Sequence, residues 1–360
     1  MLARATERHR PRLVALADRE AAEAFRRRIA GRWHGDIVSG EEGVRQVAAD
    51  SQAEIVVNAI VGAAGLAPSI AALEAGHRLA LANKESLVLG GHLLRAALER
   101  GGGELLPVDS EHSAVFACLK GRVRADLERV VLTASGGPFR TLSAKDLARV
   151  RPGDALRHPT WRMGQRITVD SATLFNKGLE MIEACWLFDL QIDQVGVWVH
   201  PQSIVHAFTQ WRDGSILAQL APADMRLPIQ TALSHPEGWG AAVKPCDLTA
   251  IGSLEFEAPD VGRFPCLRLA EEAFRGGGTL PAVANAADEV LVERFLAGEV
   301  GFLDIAAGIE AMLERHSPIP DPNLETILAV DRETRRETAV WQPDAKFSGR
   351  GQGLPSGGRS

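Results

Sequence analysis

Residues 54–82, EIVVNAIVGAAGLAPSIAALEAGHRLALA, decide the fold class. Two runs in this stretch, EIVVNAI and HRLALA, are apolar almost throughout, and the segment between them has helical periodicity. A strand that is apolar on both faces is buried on both faces, which is typical of a parallel sheet covered by helices. The stretch therefore predicts a β-α-β unit.

The same alternation continues on both sides of this stretch. Strand-like runs lie at 12–17, 103–108 and 129–135, and helical patterns lie at 18–31 and 85–103. Strands that alternate with helices predict an open α/β sheet. We therefore expect an α/β fold in the N-terminal part of the chain.

The pattern changes from about residue 151. Three short β-rich runs, VGVWVHP, SIVHAFTQW and SILAQLA, follow one another, and RDG joins the last two as a hairpin signal. They predict a second, partly antiparallel sheet. A Pro- and Gly-punctuated linker is predicted at 234–265, and helical periodicity at 266–316 and 322–340 predicts a small helical domain.

Composition excludes several classes of protein. The chain has 360 residues, 46% of them hydrophobic, which is enough for more than one domain. Its net charge of -6 offers no basic field for nucleic acid, and no apolar run approaches the ~20 residues of a membrane span. The four cysteines are too scattered for a disulfide framework or a zinc site, which fits a reducing cytoplasm.

Two acidic residues follow the strand-like run at 103–108. If the strand continues to Glu111, Asp109 and Glu111 point the same way, at the sheet edge where ligands gather. Two such carboxylates suit Mg²⁺ or Mn²⁺. The alternative is that Asp109 or Ser110 caps the next helix, and on this motif alone we favour the cap.

A second polar segment lies at 158–188. Asp170 and Ser171 are predicted to begin a helix that carries an anion site, because free N–H groups and the helix dipole add to the charge of Lys177. Glu180 is either the ion-pair partner of Lys177 on a solvated face or a third metal carboxylate. The polar positions share one helix face: Thr173, Asn176, Lys177 and Glu180.

Weaker signals lie at three strand ends. Ser135 begins an S-G-G turn that either brings backbone N–H groups to an oxyanion or only turns the chain. Asn83, Lys84 and Glu85 follow the strand-like run at 77–82, at a ligand edge or at a helix start. Gly62 and Gly65 have the spacing G-x-x-G, which alone falls short of a dinucleotide-binding fingerprint.

Taken together, these motifs resemble one family. ALANKESLV, LLPVDSEHSAVF, LTASGGPF, HPTWRMGQRITVDSATLFNKGLEMIEA, VHPQSIVH, DGSILAQL and DMRLPI occur in the order found in 1-deoxy-D-xylulose 5-phosphate reductoisomerases. The resemblance runs from about residue 12 to about residue 340. It implies a homodimer that uses NADPH and Mg²⁺ or Mn²⁺.

The resemblance also implies a domain organisation. The expected parts are an incomplete Rossmann-like NADPH-binding domain at 1–109, a central α+β catalytic and dimerisation domain at 110–234, a linker at 235–264, a C-terminal helical bundle at 265–340, and a disordered tail at 341–360.

Roles for single residues are implied in the same way. The metal ligands would be Asp109, Glu111 and Glu180. The substrate would be held by Lys84, Ser110, Glu111, Ser135, His158, Ser171, Asn176, Lys177 and Glu180, under a mobile lid that contains Trp161. The cofactor would be met by Asn83, Glu85, Gly164 and Met225, and the candidate catalytic residues are Lys177, Glu111 and His158.

The implied reaction has two steps. The carbon skeleton of 1-deoxy-D-xylulose 5-phosphate rearranges at the metal, and NADPH then reduces the aldehyde to 2-C-methyl-D-erythritol 4-phosphate, in non-mevalonate isoprenoid biosynthesis. Two alternatives stay open: a metal-dependent sugar-phosphate isomerase or aldolase without a nicotinamide step, and a catalytically inactive relative.

The resemblance lacks one part of the family pattern. A strand and a G-x-T-G-x-x-G turn that open the family, roughly 40 residues for such a βαβ unit, have no counterpart in this sequence. Either the start codon was placed too far downstream, which we favour, or the chain is a truncated form that we expect to bind metal and substrate but to reduce poorly. Cys185 and Asp288 also depart from the family, where histidine and asparagine are usual.

Overall fold

The structure is a computed structural model that describes residues 1–50 and 52–343. Its strands are β1 (Leu13–Leu16), β2 (Asp36–Ser39), β3 (Ile55–Asn58), β4 (Arg78–Leu81), β5 (Glu104–Pro107), β6 (Leu127–Ala134), β7 (Val195–Val199), β8 (Val205–Trp211) and β9 (Ile216–Leu220).

The helices of the described residues fill the connections between these strands and the C-terminal part of the chain. They are α1 (Leu2–His9), α2 (Arg19–Ile29), α3 (Gly40–Ala48), α4 (Leu66–Glu74), α5 (Lys84–Gly101), α6 (Ser110–Leu119), α7 (Ala144–Leu147), α8 (Pro152–Ala155), α9 (Gln165–Thr173), α10 (Phe175–Phe188), α11 (Arg226–Ser234), α12 (Leu248–Ile251), α13 (Cys266–Gly276), α14 (Leu280–Leu296), α15 (Phe302–Arg315) and α16 (Leu324–Val340).

The predicted parallel β-α-β architecture is confirmed. Strands β3, β4 and β5 form a parallel sheet in which Ile55 pairs with Arg78 and Arg78 with Glu104. Helix α4 connects β3 to β4, and α5 connects β4 to β5. Leu79, in the central strand β4, is fully buried. The apolar strands are buried because both faces of a parallel sheet are covered.

The N-terminal strands form two sheets instead of one. Strand β1 pairs in parallel with β2, and within the described ranges neither is hydrogen-bonded to the β3-β4-β5 sheet. The outer side of β3 is open, since Val57 is 53% exposed. Strand β2 was not predicted, because DIVS is short and begins with a charged residue.

The second sheet has the order β7-β6-β8-β9. β6 and β7 are parallel, whereas β6, β8 and β9 pair antiparallel, so the predicted mixed sheet and the β8-β9 hairpin are confirmed. The run at 129–135, which we assigned to the N-terminal strands, is β6 of this sheet. Local periodicity identifies a strand but does not identify its neighbours.

The largest apolar core joins the two sheets to the C-terminal helices, whereas the β1-β2 unit has a separate small core around Val14, Phe25 and Trp33. The largest core includes Leu81 of the first sheet, Leu132 of the second, and Phe295 and Trp341 of the C-terminal helices. The helical C-terminal region is confirmed as α13 to α16. The predicted domains are therefore packed on shared apolar surface, and their boundaries stay a proposal.

Trp341, the first residue of the tail predicted to be disordered, is ordered in the structure. Trp341 is buried, and its carbonyl accepts a hydrogen bond from Arg294 Nη1 at 2.6 Å. Residues 344–360 lie outside the described residues. Among the helices that are described, none has the length and apolar character needed to cross a bilayer.

Candidate active site

The first acidic pair lies at the start of α6. Strand β5 ends at Pro107, and α6 begins at Ser110, so the strand does not continue to Glu111 and the favoured alternative, a helix start at Asp109 and Ser110, is found. Asp109 occupies the N-cap position of α6, but its side chain makes no capping hydrogen bond. Asp109 and Glu111 lie close together because they belong to one helix start, and the Asp109 carboxylate is available for other partners.

The second group of polar residues lies where α9 meets α10. We predicted a helix that begins at Asp170 and Ser171, but both residues lie in α9. Leu174 adopts a left-handed conformation, φ 64°, which ends α9 and directs the chain into α10. Asn176 and Lys177 therefore lie in the first turn of α10, near its positive dipole end.

Two lysines join three carboxylates. Lys84 Nζ donates to Glu180 Oε1 at 3.1 Å and pairs with Asp109, although Oδ2 of Asp109 receives no hydrogen bond of good geometry. Lys177 Nζ donates to Glu111 Oε1 at 2.9 Å and to Glu180. Three carboxylates against two ammonium groups leave one net negative charge.

Burial and charge shift the pKa values of this cluster in opposite directions. Burial alone would raise the pKa of Glu111, but the Lys177 charge and other nearby groups hold it well below its usual range. Burial and the charge of Glu111 raise the pKa of Glu180 above its ordinary value, although the charges of Lys177 and Lys84 act to lower it. Burial would lower the pKa of Lys84 and Lys177, but the carboxylates raise both.

The three carboxylates can hold a divalent cation. Asp109, Glu111 and Glu180 each offer an oxygen, and these atoms lie within 4.8 Å of one another. Carboxylate oxygens are the ligands that Mg²⁺ and Mn²⁺ prefer. With Glu180 ionised the cluster has a net negative charge, and the Asp109 carboxylate is held there by its ion pair with Lys84. Both features fit a cation at this position, so the residues present suit the group that the sequence implied.

A cavity of about 350 Å³ opens beside the cluster. The predicted residues that line it are Lys84, Asp109, Ser110, Glu111, Ser135, His158, Ser171, Asn176, Lys177, Glu180 and Met225. The structure therefore brings the predicted metal and substrate residues together. Asn83, Glu85 and Gly164 are not part of this lining.

His158 and Ser135 form a hydrogen-bonded pair at the cavity. His158 Nδ1 accepts from the backbone N–H groups of Thr160 and Trp161, at 3.3 and 2.9 Å. In the neutral ring, which burial favours by lowering the pKa of His158, the proton is therefore on Nε2. Nε2 then donates to Ser135 Oγ at 2.9 Å.

Several lining residues were not assigned from the sequence. Thr133, Ser203 and His206 line the cavity, and Trp161 packs edge-on against His206 with ring centroids 6.2 Å apart. Ser203 and His206 lie in the VHPQSIVH motif, so the resemblance carried a signal that we did not use. Thr133 lies in the LTASGGPF motif, where the same kind of signal was not used.

Asn83 and Glu85 lie at a polar junction. Asn83 Oδ1 accepts from Ser86 N at 2.9 Å, and its Nδ2 donates to Gly62 O at 3.1 Å. Glu85 Oε1 accepts from Arg166 Nη1 at 3.0 Å, and Arg166 also donates to Glu289 at 2.8 Å. These side chains hold the turn after β3 to α5, α9 and α14. Their contact with a cofactor stays a prediction.

Three family profiles match most of the chain. The profile of 1-deoxy-D-xylulose 5-phosphate reductoisomerase matches residues 1–91, the profile of its C-terminal domain matches 105–188, and a DXP reductoisomerase C-terminal domain profile matches 220–337. A reductoisomerase of Geobacillus sp. strain WCH70 is 51% identical over 92% of this chain and 86% of that protein. The chain belongs to the 1-deoxy-D-xylulose 5-phosphate reductoisomerase family.

Other reductoisomerases agree with this assignment. The protein of Symbiobacterium thermophilum is 50% identical over 95% of this chain and 88% of its own length. The crystal structure of the Zymomonas mobilis reductoisomerase in complex with NADPH is 41% identical and superposes with a TM-score of 0.87, over 94% of this chain and 87% of that one. A DOX-P reductoisomerase in complex with NADPH, fosmidomycin and magnesium is 39% identical, with a TM-score of 0.89 over the same shares.

Proposed function

We propose that this chain converts 1-deoxy-D-xylulose 5-phosphate to 2-C-methyl-D-erythritol 4-phosphate, with NADPH and a divalent cation, in non-mevalonate isoprenoid biosynthesis. The observation that carries the proposal is the convergence of Asp109, Glu111 and Glu180 on a cavity within a reductoisomerase fold. Relatives that are named reductoisomerases and bind NADPH favour this reaction over an isomerase without a nicotinamide step.

We propose that Asp109, Glu111 and Glu180 hold Mg²⁺ or Mn²⁺. When bound there, the cation supplies Lewis-acid stabilisation of negative charge on substrate oxygens. Magnesium is the ion present in related structures, and oxygen ligands alone do not separate it from Mn²⁺. Lys84 and Lys177 keep the three carboxylates from repelling one another in the cavity wall.

Ser135 is proposed to donate to the substrate phosphate. Its Oγ accepts from His158 Nε2 at 2.9 Å and from Gly137 N at 3.2 Å, so its own proton is free to donate. Asn176 and Lys177, in the first turn of α10, add a donor and a positive charge beside the helix dipole. Ser171 and Ser110 are proposed to bind substrate hydroxyls from the same cavity wall.

Proton transfer is proposed for two groups that differ in charge. Lys177 is held charged by Glu111 and Glu180, so its Nζ can give a proton to a developing alkoxide. Glu111 is held ionised, but its lowered pKa also makes it a weak base, so it can accept a proton only if its pKa rises when the substrate binds. His158, neutral with its proton on Nε2, is proposed to orient Ser135.

The segment that contains Trp161 is proposed to cover the substrate. Trp161 lines the cavity and is half-buried against His206. Covering the cavity would exclude water from the reacting atoms and strengthen the charge interactions inside.

The nicotinamide end of NADPH is proposed to lie near Met225, which lines the cavity. The turn after β3 begins with Gly62 at φ 73°, and a Cβ at Gly65 would come within 2.5 Å of the Asn83 side chain. Turns at the carboxyl ends of parallel strands are where open α/β folds bind nucleotides. We propose that Asn83 and Glu85 hold this turn in place and that Gly164 lies at the same edge.

We infer that two copies associate through the outer face of the second sheet. Trp198, Phe208 and Phe256 form an aromatic cluster there, with ring centroids 5.0 to 6.2 Å apart. Phe256 is 40% exposed, and Ile216 at the edge strand is 51% exposed. An apolar face of this kind is typical of an interface. A cytoplasmic location is proposed from the unpaired cysteines of the described residues.

The proposed reaction is tested by following NADPH absorbance with purified protein, 1-deoxy-D-xylulose 5-phosphate and Mg²⁺. We expect NADPH to be consumed in proportion to product, which mass spectrometry identifies. An isomerase would convert the substrate while NADPH stays constant, and that result would exclude the proposal.

A further inference from the structure

His112 and Glu183 lie behind the candidate metal site and have no role in the proposed reaction. His112, in the first turn of α6, is 0% exposed, and Glu183 of α10 is 1% exposed. His112 Nε2 lies 2.9 Å from the backbone carbonyl oxygen of Glu180, and Nδ1 lies 3.2 Å from Glu183 Oε2. The imidazole ring therefore joins α6 to α10.

The partners of the ring fix its tautomer. A carbonyl oxygen can only accept, so the hydrogen bond to Glu180 requires a proton on Nε2. In a neutral ring Nδ1 is then an acceptor, and the group that faces it is the Glu183 carboxyl. His112 Nδ1 and both Glu183 carboxyl oxygens lack a hydrogen bond of good geometry to any described group, so the 3.2 Å approach of Nδ1 to Oε2 is a close contact between two buried polar atoms that have no other partner.

The almost complete burial of His112 and Glu183 favours the uncharged forms of both side chains. A protonated Glu183 would donate its O–H to Nδ1 while His112 donates Nε2–H to the Glu180 carbonyl oxygen. The two contacts connect a carboxyl group to the backbone of a residue of the proposed metal site.

These contacts lie between the two helices that supply the carboxylates. Asp109 and Glu111 come from the start of α6, and Glu180 comes from α10. A cation contacts all three only if the two helices keep their relative position. Groups that orient metal ligands through hydrogen bonds commonly contribute about 10–100-fold to metal affinity.

We propose that Glu183 is a positioning residue for the metal site, which orients His112 so that its Nε2–H holds Glu180 in register with Asp109 and Glu111. This inference rests on the proposed metal-dependent function. It assigns Glu183 no contact with substrate or cation.

The test is the affinity of the purified chain for Mn²⁺, measured by calorimetry without substrate or NADPH. Glu183→Met fills the same space without a hydrogen bond, and we expect it to weaken Mn²⁺ binding by about 10–100-fold. Glu183→Gln offers an amide N–H to Nδ1, and we expect it to restore an affinity close to that of the wild type. Ile182→Val, a buried change on the same helix, controls for a general loss of packing.

The outcomes separate this inference from the proposed function. If wild-type protein binds no Mn²⁺, the proposed function fails. If wild type binds Mn²⁺ and Glu183→Met binds it equally well, only the positioning role is wrong. A Glu183→Gln variant as weak as Glu183→Met, or two Mn²⁺ ions per chain, would show instead that Glu183 is itself a ligand. If Glu183→Met does not fold, His112→Phe replaces it as the test, because phenylalanine keeps the ring volume without the hydrogen-bond donor. We expect His112→Phe to show the same loss of Mn²⁺ affinity. Unchanged Mn²⁺ binding by His112→Phe would contradict the proposal.

Discussion

Lys84 Nζ lies 3.1 Å from Glu180 Oε1, although 96 positions separate the two residues in the sequence. This contact joins the helix that follows β4 to the helix that supplies the third carboxylate. It places the charge of a residue from α5 in the candidate metal site, so the site depends on the packing of both parts of the chain.

Glu180→Gln is expected to weaken metal binding and lower the activity without unfolding the protein. The amide cannot act as an anionic ligand, so we expect Mn²⁺ binding and the rate of NADPH oxidation to fall by about 100-fold or more, beyond the loss typical of indirect contacts. Stability should change little, because burial already raises the pKa of Glu180 and disfavours its charge. Calorimetry measures Mn²⁺ binding and thermal unfolding measures stability. The exposed Glu99→Gln is the matched control.

Ser135→Ala is expected to weaken substrate binding more than turnover. It removes a hydroxyl that is free to donate to the phosphate, and a hydrogen bond to a charged group contributes about 1.5–3 kcal/mol, or roughly 10-fold or more in KM. Steady-state kinetics give KM and kcat separately. The exposed Ser253→Ala should leave both unchanged, and an unaltered KM in Ser135→Ala would remove Ser135 from the phosphate site.

Asp288→Asn is expected to make stability less sensitive to rising pH. Burial and the charge of Asp170 hold the pKa of Asp288 well above its ordinary value, so the folded state binds a proton that the unfolded chain has lost. That contribution is complete below the ordinary pKa of aspartate and is lost as pH rises through the raised value. An asparagine donates to Asp170 at every pH.

The measurement is thermal unfolding of both proteins between about pH 5 and pH 8. We expect the stability of Asp288→Asn relative to wild type to increase by about 1–3 kcal/mol over this range. The other charged groups around the pair, Glu85, Arg166 and Glu289, are the same in both proteins. A constant difference across the range would show that the pair holds no extra proton.

Phe256→Glu is expected to produce monomers. A charge in the aromatic cluster with Trp198 and Phe208 would be buried without a partner at an interface between copies. Analytical ultracentrifugation gives the mass in solution, with Ile319→Glu, which changes an exposed apolar residue of the C-terminal region, as the control. We expect Ile319→Glu to remain a dimer, and a dimer that persists in Phe256→Glu would place the interface elsewhere.

The sequence pointed to the residue types of the candidate site but not to its geometry. A strand was one of two readings for Asp109 and Glu111, and the structure has the other, a helix start. Glu180 was one possible third carboxylate, but its proximity to Asp109 and Glu111 was implied only by the resemblance, because local periodicity carries no information on contacts between residues far apart in the chain. The left-handed conformation of Leu174, which separates α9 from α10, has no signature in a leucine.

The junction around Arg166 was missed for a related reason. Its partners Glu85 and Glu289 lie 81 and 123 positions away, and each of the three residues is ordinary for a solvated helix face. The parallel strands, by contrast, were predicted because burial on both faces requires continuous apolar runs that can be read directly from the sequence.

The most direct test of the account is the rate of NADPH oxidation by this 360-residue chain with 1-deoxy-D-xylulose 5-phosphate, measured with Mg²⁺ and again after its removal by a chelator. We predict NADPH oxidation, at whatever rate this chain supports, that is lost with the chelator and restored by Mg²⁺ or Mn²⁺. Substrate turnover without NADPH oxidation, or oxidation that is indifferent to the metal, would contradict the assignment of Asp109, Glu111 and Glu180 as the metal site of a reductoisomerase.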